Sequence, residues 1–338
     1  MKNLSFINKL MFIINNIFAL LFLASFAIPF ISPKTLPVLS VLSLAVPLLL
    51  FIHVLFILYW WLVGVKKQFL LSALCILLAI FFSYFPYKFS EKNVISGNNF
   101  SVMNYNVRLF NKYQWIEDDN IPQKISEFIK HNNSDILTLQ ELYPSTDINI
   151  DYPYKYIEYR GNKKNFGQAI YSKYKIINKG SLDFTHSNNN AIFADILRGN
   201  DTIRIYNLHL ESLGIIPNKD YLGEKDSEKM IKRLSNSFVK QQDQVEKFNT
   251  HRDQCKYKII ISGDFNNTAY SWAYHKIKSD LKDTFIESGK GFGKTYDFNK
   301  YPLRIDFILV DEYFKVNKHK NFDVKYSDHF PIIAKLSF

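Results

Sequence analysis

Ile261-Ser262-Gly263-Asp264-Phe265-Asn266 is the stretch on which the reading of this chain turns. It closes a run of β-formers that begins at Tyr257, so an acid stands where a strand ends. A Gly-Asp pair by itself is ordinary turn chemistry. Asp264 and Asn266 are two residues apart, however, and on an extended chain that spacing puts both side chains on one face.

The same arrangement recurs outward in both directions. Upstream, Phe100–Leu109 contains Tyr105-Asn106-Val107, Asp135–Leu139 runs into Gln140-Glu141, and Thr202–Leu210 carries Asn207 and His209. Downstream, Ile305–Val310 holds Asp306 between Ile305 and Phe307, and Ser327-Asp328-His329 precedes Ile332–Leu336. Gln168–Ser172 and Ala191–Leu197 are further strand candidates. Between them, Ile121–His131 places Ile121, Ile125, Phe128 and Ile129 on one helical face, and Glu228–Phe248 is a longer, more polar helix. The pattern is mixed α/β with no repeat of solenoid length.

Taken singly, most of these polar residues have a plain structural reading as turn, cap or surface groups. Asp306 is harder to dismiss, because a carboxylate within an apolar strand must be paired or functional. Several carboxylates, amides and imidazoles at successive strand ends suit a hard divalent cation and a phosphate. Mg²⁺ takes oxygen ligands and keeps several waters, so one Glu and one Asp are enough to hold it. Asp306 is placed to fix the tautomer of His329 and to keep that ring protonated.

The first 90 or so residues differ from the rest. Between Leu10 and Tyr87 the only charged side chains are Lys34, Lys66 and Lys67. Leu10–Ile31, Val38–Val65 and Phe69–Phe85 are almost purely apolar, which predicts three membrane helices, the third marginal in length. Tyr59, Trp60 and Trp61 fall where an interfacial aromatic belt forms. With the N-terminus cytoplasmic, Lys2, Lys9, Lys66 and Lys67 face inward and only Lys34 faces out. Three spans then place the C-terminal part outside the cytoplasm, and a merely interfacial third span reverses the side. His53 and Cys75 are too few for a transport path, so the expectation is a multi-pass anchor in the bilayer over residues 1–95 and a soluble domain over 96–338.

The net charge of +11 is drawn largely from the anchor, where seven lysines meet the single acid Glu91. The milder surplus in the soluble part fits an anionic substrate without being a nucleic-acid signature. Cys255 stands alone there, which excludes a disulfide within that domain and a cysteine-built metal site.

Asn106, Gln140-Glu141, Asn207-x-His209, Gly263-Asp264-Phe265-Asn266, Arg304-Ile305-Asp306 and Ser327-Asp328-His329 resemble, in order and spacing, the motifs of the endonuclease/exonuclease/phosphatase superfamily. That group includes pancreatic deoxyribonuclease, bacterial sphingomyelinases and inositol polyphosphate phosphatases. Gly167-Gln168-Ala169-Ile170-Tyr171-Ser172-Lys173 is similar to a strand and turn common in it. The resemblance covers residues 98–338 and implies a four-layered α/β sandwich with two central mixed sheets and the site at one edge of both. It implies Mg²⁺, with Mn²⁺ as a substitute, on Glu141 with Asn106, and Asp328 as a second ligand. It further implies Asp264 as the base for the attacking water, Asn266 at the phosphate, His209 either at the phosphate or as proton donor to the leaving oxygen, and His329, oriented by Asp306, against the phosphoryl oxygens. Asn207 is expected at the substrate as well.

His209 stands where the abasic-site endonuclease branch usually has Tyr. Ile260-Ile261-Ser262 and Leu303-Arg304-Ile305 lack the Trp and the Cys-Asp-Arg segment of the inositol-phosphatase branch. What remains is a membrane-anchored phosphodiesterase acting on nucleic acid, a phospholipid headgroup or a small diester, with no obligate protein partner. An inactive, membrane-tethered binding module on the same fold is the alternative. Arg160, Lys163 and Lys164, with aromatic residues around them, form a basic loop expected to grip the anionic substrate.

Overall fold

The computed structural model describes residues 4–64, 67–82, 84, 86–94, 99–144, 148–161, 166–214, 224–298 and 301–338. Three apolar helices come first, α1 (Phe6–Ser25), α2 (Pro37–Leu62) and α3 (Phe69–Phe81). The stretches Phe6–Phe30 and Pro37–Leu62 are long and apolar enough to cross a bilayer. The third is not, which corrects the expectation of three full spans: α3 has 13 residues, and at ~1.5 Å per residue that is about 20 Å against a hydrocarbon core of roughly 30 Å.

A buried polar contact joins the three helices. Ser72 Oγ donates to Asn15 Oδ1 at 2.8 Å and lies 3.0 Å from His53 Nδ1. At one end of the bundle Tyr59 donates to Asn8 (2.7 Å). At the other end, Tyr84 stacks on Phe26 and meets Tyr270 edge-on, and Phe30 meets His275.

The rest of the chain forms β1 (Phe100–Asn106), α4 (Ile121–Asn132), β2 (Ile136–Leu142), β3 (Tyr154–Arg160), β4 (Phe166–Ser172), β5 (Lys175–Ser181), β6 (Asn190–Arg198), β7 (Asp201–His209) and α5 (Glu224–Arg252). It continues through β8 (Lys258–Asp264), α6 (Trp272–Lys278), β9 (Lys282–Asp283), α7 (Thr284–Ser288), the hairpin β10 (Tyr296–Phe298) and β11 (Tyr301–Leu303), β12 (Asp306–Val310), β13 (Lys315–Asn321) and β14 (Ile332–Ser337). Two mixed six-stranded sheets result, ordered β13-β14-β1-β2-β4-β3 and β5-β6-β7-β8-β12-β9. The eight strands anticipated from the sequence are all present. The unanticipated β3, β5, β9 and β13 lie at sheet edges, where exposure removes the apolar alternation that marks a strand.

Period-two alternation builds the layers. Phe100, Val102, Ile136 and Ile170 of one sheet meet Ile203, Ile205, Ile260 and Ile308 of the other in one apolar cluster. The opposite faces carry Met103, Tyr105, Leu137 and Leu139 against Ile121, Ile125 and Ile129 of α4. On the other sheet, Tyr206, Leu208, Ile261 and Phe307 pack with Val245 and Phe248 of α5 and Trp272 of α6. This is a four-layered helix-sheet-sheet-helix sandwich.

The apolar helices lie against this sandwich beside α5. Thr268 Oγ1 donates to the Ser43 carbonyl at 3.0 Å, Ser32 donates to Gln242, and Lys34 forms ion pairs with Asp243 (2.7 Å) and Glu246 (2.9 Å). Val41 and Leu44 pack on Leu213, Leu234 and Phe238.

Candidate active site

Followed along the strands, the layer between the sheets changes character. The face that holds Phe100 and Val102 continues to Asn104 and Asn106, that of Ile136 continues to Thr138 and Gln140, and that of Ile203 and Ile205 continues to Asn207 and His209. In β8 it passes from Ile260 through Ser262 to Asp264, and in β12 it begins at Asp306. A one-residue slip in any of these strands would turn its polar end toward a helix layer. Register fixes the meeting: β1 and β2 run parallel with Asn106 beside Gln140, β7 and β8 run parallel with His209 beside Asp264, and antiparallel β12 sets Asp306 beside Asp264.

Most buried polar groups in this layer are matched to one another, as low-dielectric surroundings favour, although Gln140 Oε1 finds no partner. Thr138 Oγ1 and Ser262 Oγ are 2.7 Å apart across the sheets, and Gln140 Nε2 donates to Asn104 (2.8 Å) and Asn207 (2.7 Å). Asn207 Nδ2 donates to the carbonyls of Leu139 (2.8 Å) and Ala169 (2.9 Å). Its polar atoms are thus all used within the protein, and its side chain is fully enclosed.

Beyond this layer lies the cluster. Asn106 Nδ2 donates to Asp264 Oδ2 (3.0 Å) and to Glu141 Oε1 (3.2 Å). His209 Nε2 is 3.6 Å from Asp264 Oδ2 and 3.9 Å from Glu141 Oε1. His329 Nε2 stands 3.6 Å from that same Asp264 oxygen, while its Nδ1 is 2.9 Å from Asp306 Oδ2. Asp328 pairs with Arg108 Nε at 3.2 Å, and Ser327 Oγ, which donates to the Asn106 carbonyl, accepts from the His329 backbone N–H.

Backbone geometry carries part of this placement. Gly263 has φ +154°, and a Cβ there would lie 1.9 Å from the Leu208 carbonyl oxygen, so the parallel β7 and β8 approach closely only because the residue before Asp264 has no side chain. Glu141 adopts φ 51° where the β2–β4 register shifts between Leu139 and Leu142, and this bulge aims its carboxylate at Asn106. Asn266 departs from the extended-strand expectation: β8 ends at Asp264, and Asn266 sits in a turn at φ 49°. There its backbone N–H donates to Asp264 Oδ1 (2.8 Å) and its amide donates to the Leu210 carbonyl (3.0 Å).

The charges are strongly coupled. Burial, followed by the nearby Asp328, raises the Glu141 carboxyl above its ordinary range. Burial likewise raises Asp264, with His329 opposing and Asp306 reinforcing. Burial works against charge on His329, but Asp306 and Asp264 outweigh it and lift the ring to about 10. His209 is driven the other way, to about 3, by burial and then by the His329 charge. One imidazole is therefore a standing cation and the other a neutral ring, on either side of one carboxylate.

Asp264, Asp306 and His329 offer ligand atoms within 4.8 Å of one another, a group that could hold a metal ion. A protonated ring bonded to Asp306 is a poor metal ligand. The oxygens of Glu141, Asp264 and the Asn106 amide better suit a hard cation, and the Asn106 amide group now stands between those two carboxylates.

Two neighbours carried no signal in the sequence. Arg108 (φ 42°) stacks its guanidinium 4.3 Å over Trp115 while pairing with Asp328. The Tyr296 ring lies 4.9 Å from that of His329. Arg160 edges a cleft shared with Glu141 and His209, but its guanidinium is bound to Asp183 and to the Phe184 carbonyl. Lys163 and Lys164 lie outside the described residues.

Comparison with known proteins agrees with this picture. The solved structures similar to the chain include an endonuclease/exonuclease/phosphatase from Bacteroides vulgatus, with 18% identity, a TM-score of 0.53, and 71% of this chain and 99% of that one covered. An endonuclease/exonuclease/phosphatase family protein from Leptotrichia buccalis gives 19%, 0.51, 71% and 100%. D. rerio TDP2, complexed with single strand DNA product, gives 14%, 0.52, 71% and 99%. At these identities the likeness is one of fold. No curated protein matches the chain. A domain of unknown function matches residues 8–84, the region of the three apolar helices. The family model "Endonuclease/Exonuclease/phosphatase family" matches residues 103–329, well over half the sequence and a span that reaches from β1 to His329, and the chain belongs to that family.

Proposed function

We propose that this protein is a membrane-anchored, Mg²⁺-dependent hydrolase of phosphodiester bonds, with Mn²⁺ able to substitute. Members of its family hydrolyse phosphoester bonds. The observation that carries the reading is the convergence on Asp264 Oδ2 of His209, His329 and Asn106, with Glu141 reached through Asn106.

Glu141 and Asn106 would hold the cation, with Asp328 beside them. Bound there, Mg²⁺ would draw charge from the phosphoryl oxygens and from the leaving oxygen. Asp264, its acidity weakened by burial, accepts the proton of the attacking water, and the Asn266 N–H fixes that carboxylate's orientation. The water oxygen forms its bond to phosphorus as the bond to the leaving alcohol breaks in line. His329, kept charged by Asp306, donates to a phosphoryl oxygen. Neutral His209 meets the phosphate from the other side, and Asn266 lines the cleft next to His329. Asn207 acts on the site through Gln140, holding the strand ends in register. Arg160 stands at the cleft edge as a positioned charge for an anionic substrate.

The anchor follows from the two long apolar helices. Asn8 and Tyr59 meet at the end of the bundle away from the sandwich, and Lys34 lies at the end against it. α3, though short, returns the chain toward the sandwich, where Tyr84 donates to the Ser25 carbonyl. A catalytic domain outside the cytoplasm, opposite the N-terminus, requires α3 and the residues flanking it to complete a third crossing; with α1 and α2 as the full crossings the domain lies on the side of the N-terminus. The DNA product bound by TDP2 belongs to that protein; for this chain it supports a diester substrate in general.

The test is turnover of bis(p-nitrophenyl) phosphate by the full chain in detergent, with Mg²⁺ and with EDTA, beside Asp264→Asn. Metal-dependent release of p-nitrophenol that Asp264→Asn abolishes is the expected result. Equal release by the variant, or none with any divalent metal, would sink the reading.

A further inference from the structure

The catalytic cluster opens into a cleft of about 180 Å³ with a lining of two kinds. Glu141, Asn266, Asp328 and His329, with Ser212, Tyr296 and Tyr301, supply its polar groups. Leu213, Phe298, Leu303, Ile305 and Leu44 supply its apolar wall, and Leu44 belongs not to the sandwich but to α2. A helix apolar enough to cross a bilayer therefore forms part of the wall of the site.

Leu44 is also the first residue of a stripe. Leu48, Phe51, Leu55, Leu58 and Leu62 follow it at alternating spacings of four and three, which keeps them on one face of the helix. That face is uncovered: Leu48 is 46% exposed, Phe51 58%, Leu55 48%, Leu58 49% and Leu62 76%. It is an unbroken apolar path along α2 from the lipid-facing surface to the cleft. A substrate for a cleft of this kind has a phosphate at one end and hydrocarbon at the other. A nucleic acid strand, charged at every residue, would lay its neighbouring phosphates against the apolar side chains of Leu44, Leu213 and Phe298.

Resting on the phosphodiesterase reading, we propose that the substrate is an amphiphilic phosphodiester of the bilayer. Its phosphate sits among Glu141, Asp328 and His329, and its hydrocarbon chain lies against Leu44 and leaves the cleft along the α2 stripe. The chain is already out of water in the membrane, so the groove gains little from hydrophobic transfer and acts by positioning, an effect of roughly tenfold.

Three diesters sharing one chromophore test this: ethyl, octyl and hexadecyl p-nitrophenyl phosphate, given to the full chain in mixed micelles with Mg²⁺. A single-stranded oligonucleotide serves as a fourth substrate. The expected rate order is hexadecyl above octyl above ethyl, with a hexadecyl-to-ethyl ratio of about ten or more. Shared residence in a micelle alone could raise that ratio, so the deciding measurement is the ratio in Leu44→Trp, which fills the groove and keeps the helix apolar. There it should fall toward one. The melting temperature in detergent reports retention of the fold, and Leu44→Ala replaces the variant if it does not fold. An unchanged ratio in the folded variant, equal ethyl and hexadecyl rates in the native protein, or faster cleavage of the oligonucleotide overturns the proposal and leaves the phosphodiesterase standing. Release from none of the substrates removes both.

Discussion

Replacing Asp306 with asparagine removes one negative charge and keeps the side-chain shape, and its effect on His329 can be worked from the geometry. The two groups meet at 2.9 Å and both are almost fully enclosed. Asp306 is the leading reason that the ring holds its proton to about 10 instead of 6.5, with Asp264 second. At ~1.36 kcal/mol per pH unit, that rise corresponds to roughly 5 kcal/mol in favour of the imidazolium. Without the Asp306 charge, burial is opposed chiefly by Asp264, so D306N lets His329 lose its proton at a lower pH than in the native protein. The assay is kcat/KM for bis(p-nitrophenyl) phosphate from about pH 5 to about pH 10.5, which reports groups of the free enzyme. Native activity should rise as Asp264 loses its proton and fall only near the upper limit. In the variant the alkaline fall moves to lower pH, on top of a loss of ~100-fold or more from a weakened donor. An alkaline limb that coincides with the native one would refute the claim that Asp306 keeps His329 charged.

Three further outcomes are expected. Gly263→Ala must fit a Cβ against the Leu208 carbonyl at a left-handed φ, so the melting temperature should drop by the equivalent of about 3 kcal/mol or more; a native-like melt would mean that β7 and β8 separate without strain. Glu141→Gln should raise the Mg²⁺ concentration for half-maximal activity by roughly 10–100-fold while the melting curve without metal changes little, and an unaltered Mg²⁺ requirement would remove Glu141 from the cation site. Ser72→Ala takes away the hydroxyl between Asn15 and His53, and should lower the stability of the helical bundle by about 1 kcal/mol, read as earlier proteolysis between the helices in detergent with activity retained.

Most of the fold was legible because its central strands carry strong period-two or continuous apolar patterns. Two of the helices that cover the sheets, α4 and α5, showed helical patterning as well. The edge strands β3 and β5 were not legible, since exposure leaves them no apolar face to announce. α3 read as a span because hydropathy measures composition, whereas crossing a bilayer also demands length. Among site residues, Asp306 was visible as a charge inside an apolar strand. Arg108 and Tyr296 were not, because each reaches the cluster from a loop or hairpin whose path depends on the rest of the fold.

By itself the sequence determined which residue types end each strand and that apolar helices precede them, because those properties reside in composition and local periodicity. Tertiary structure alone decided that Asn106, Glu141, His209, Asp264, Asp306 and His329 form one cluster, since only the register between strands distant in sequence sets those separations. It alone also decided that Leu44 of the N-terminal helix α2 lines the cleft beside that cluster. Neither helix nor strand periodicity carries information about which surfaces meet; packing between the bundle and the sandwich does.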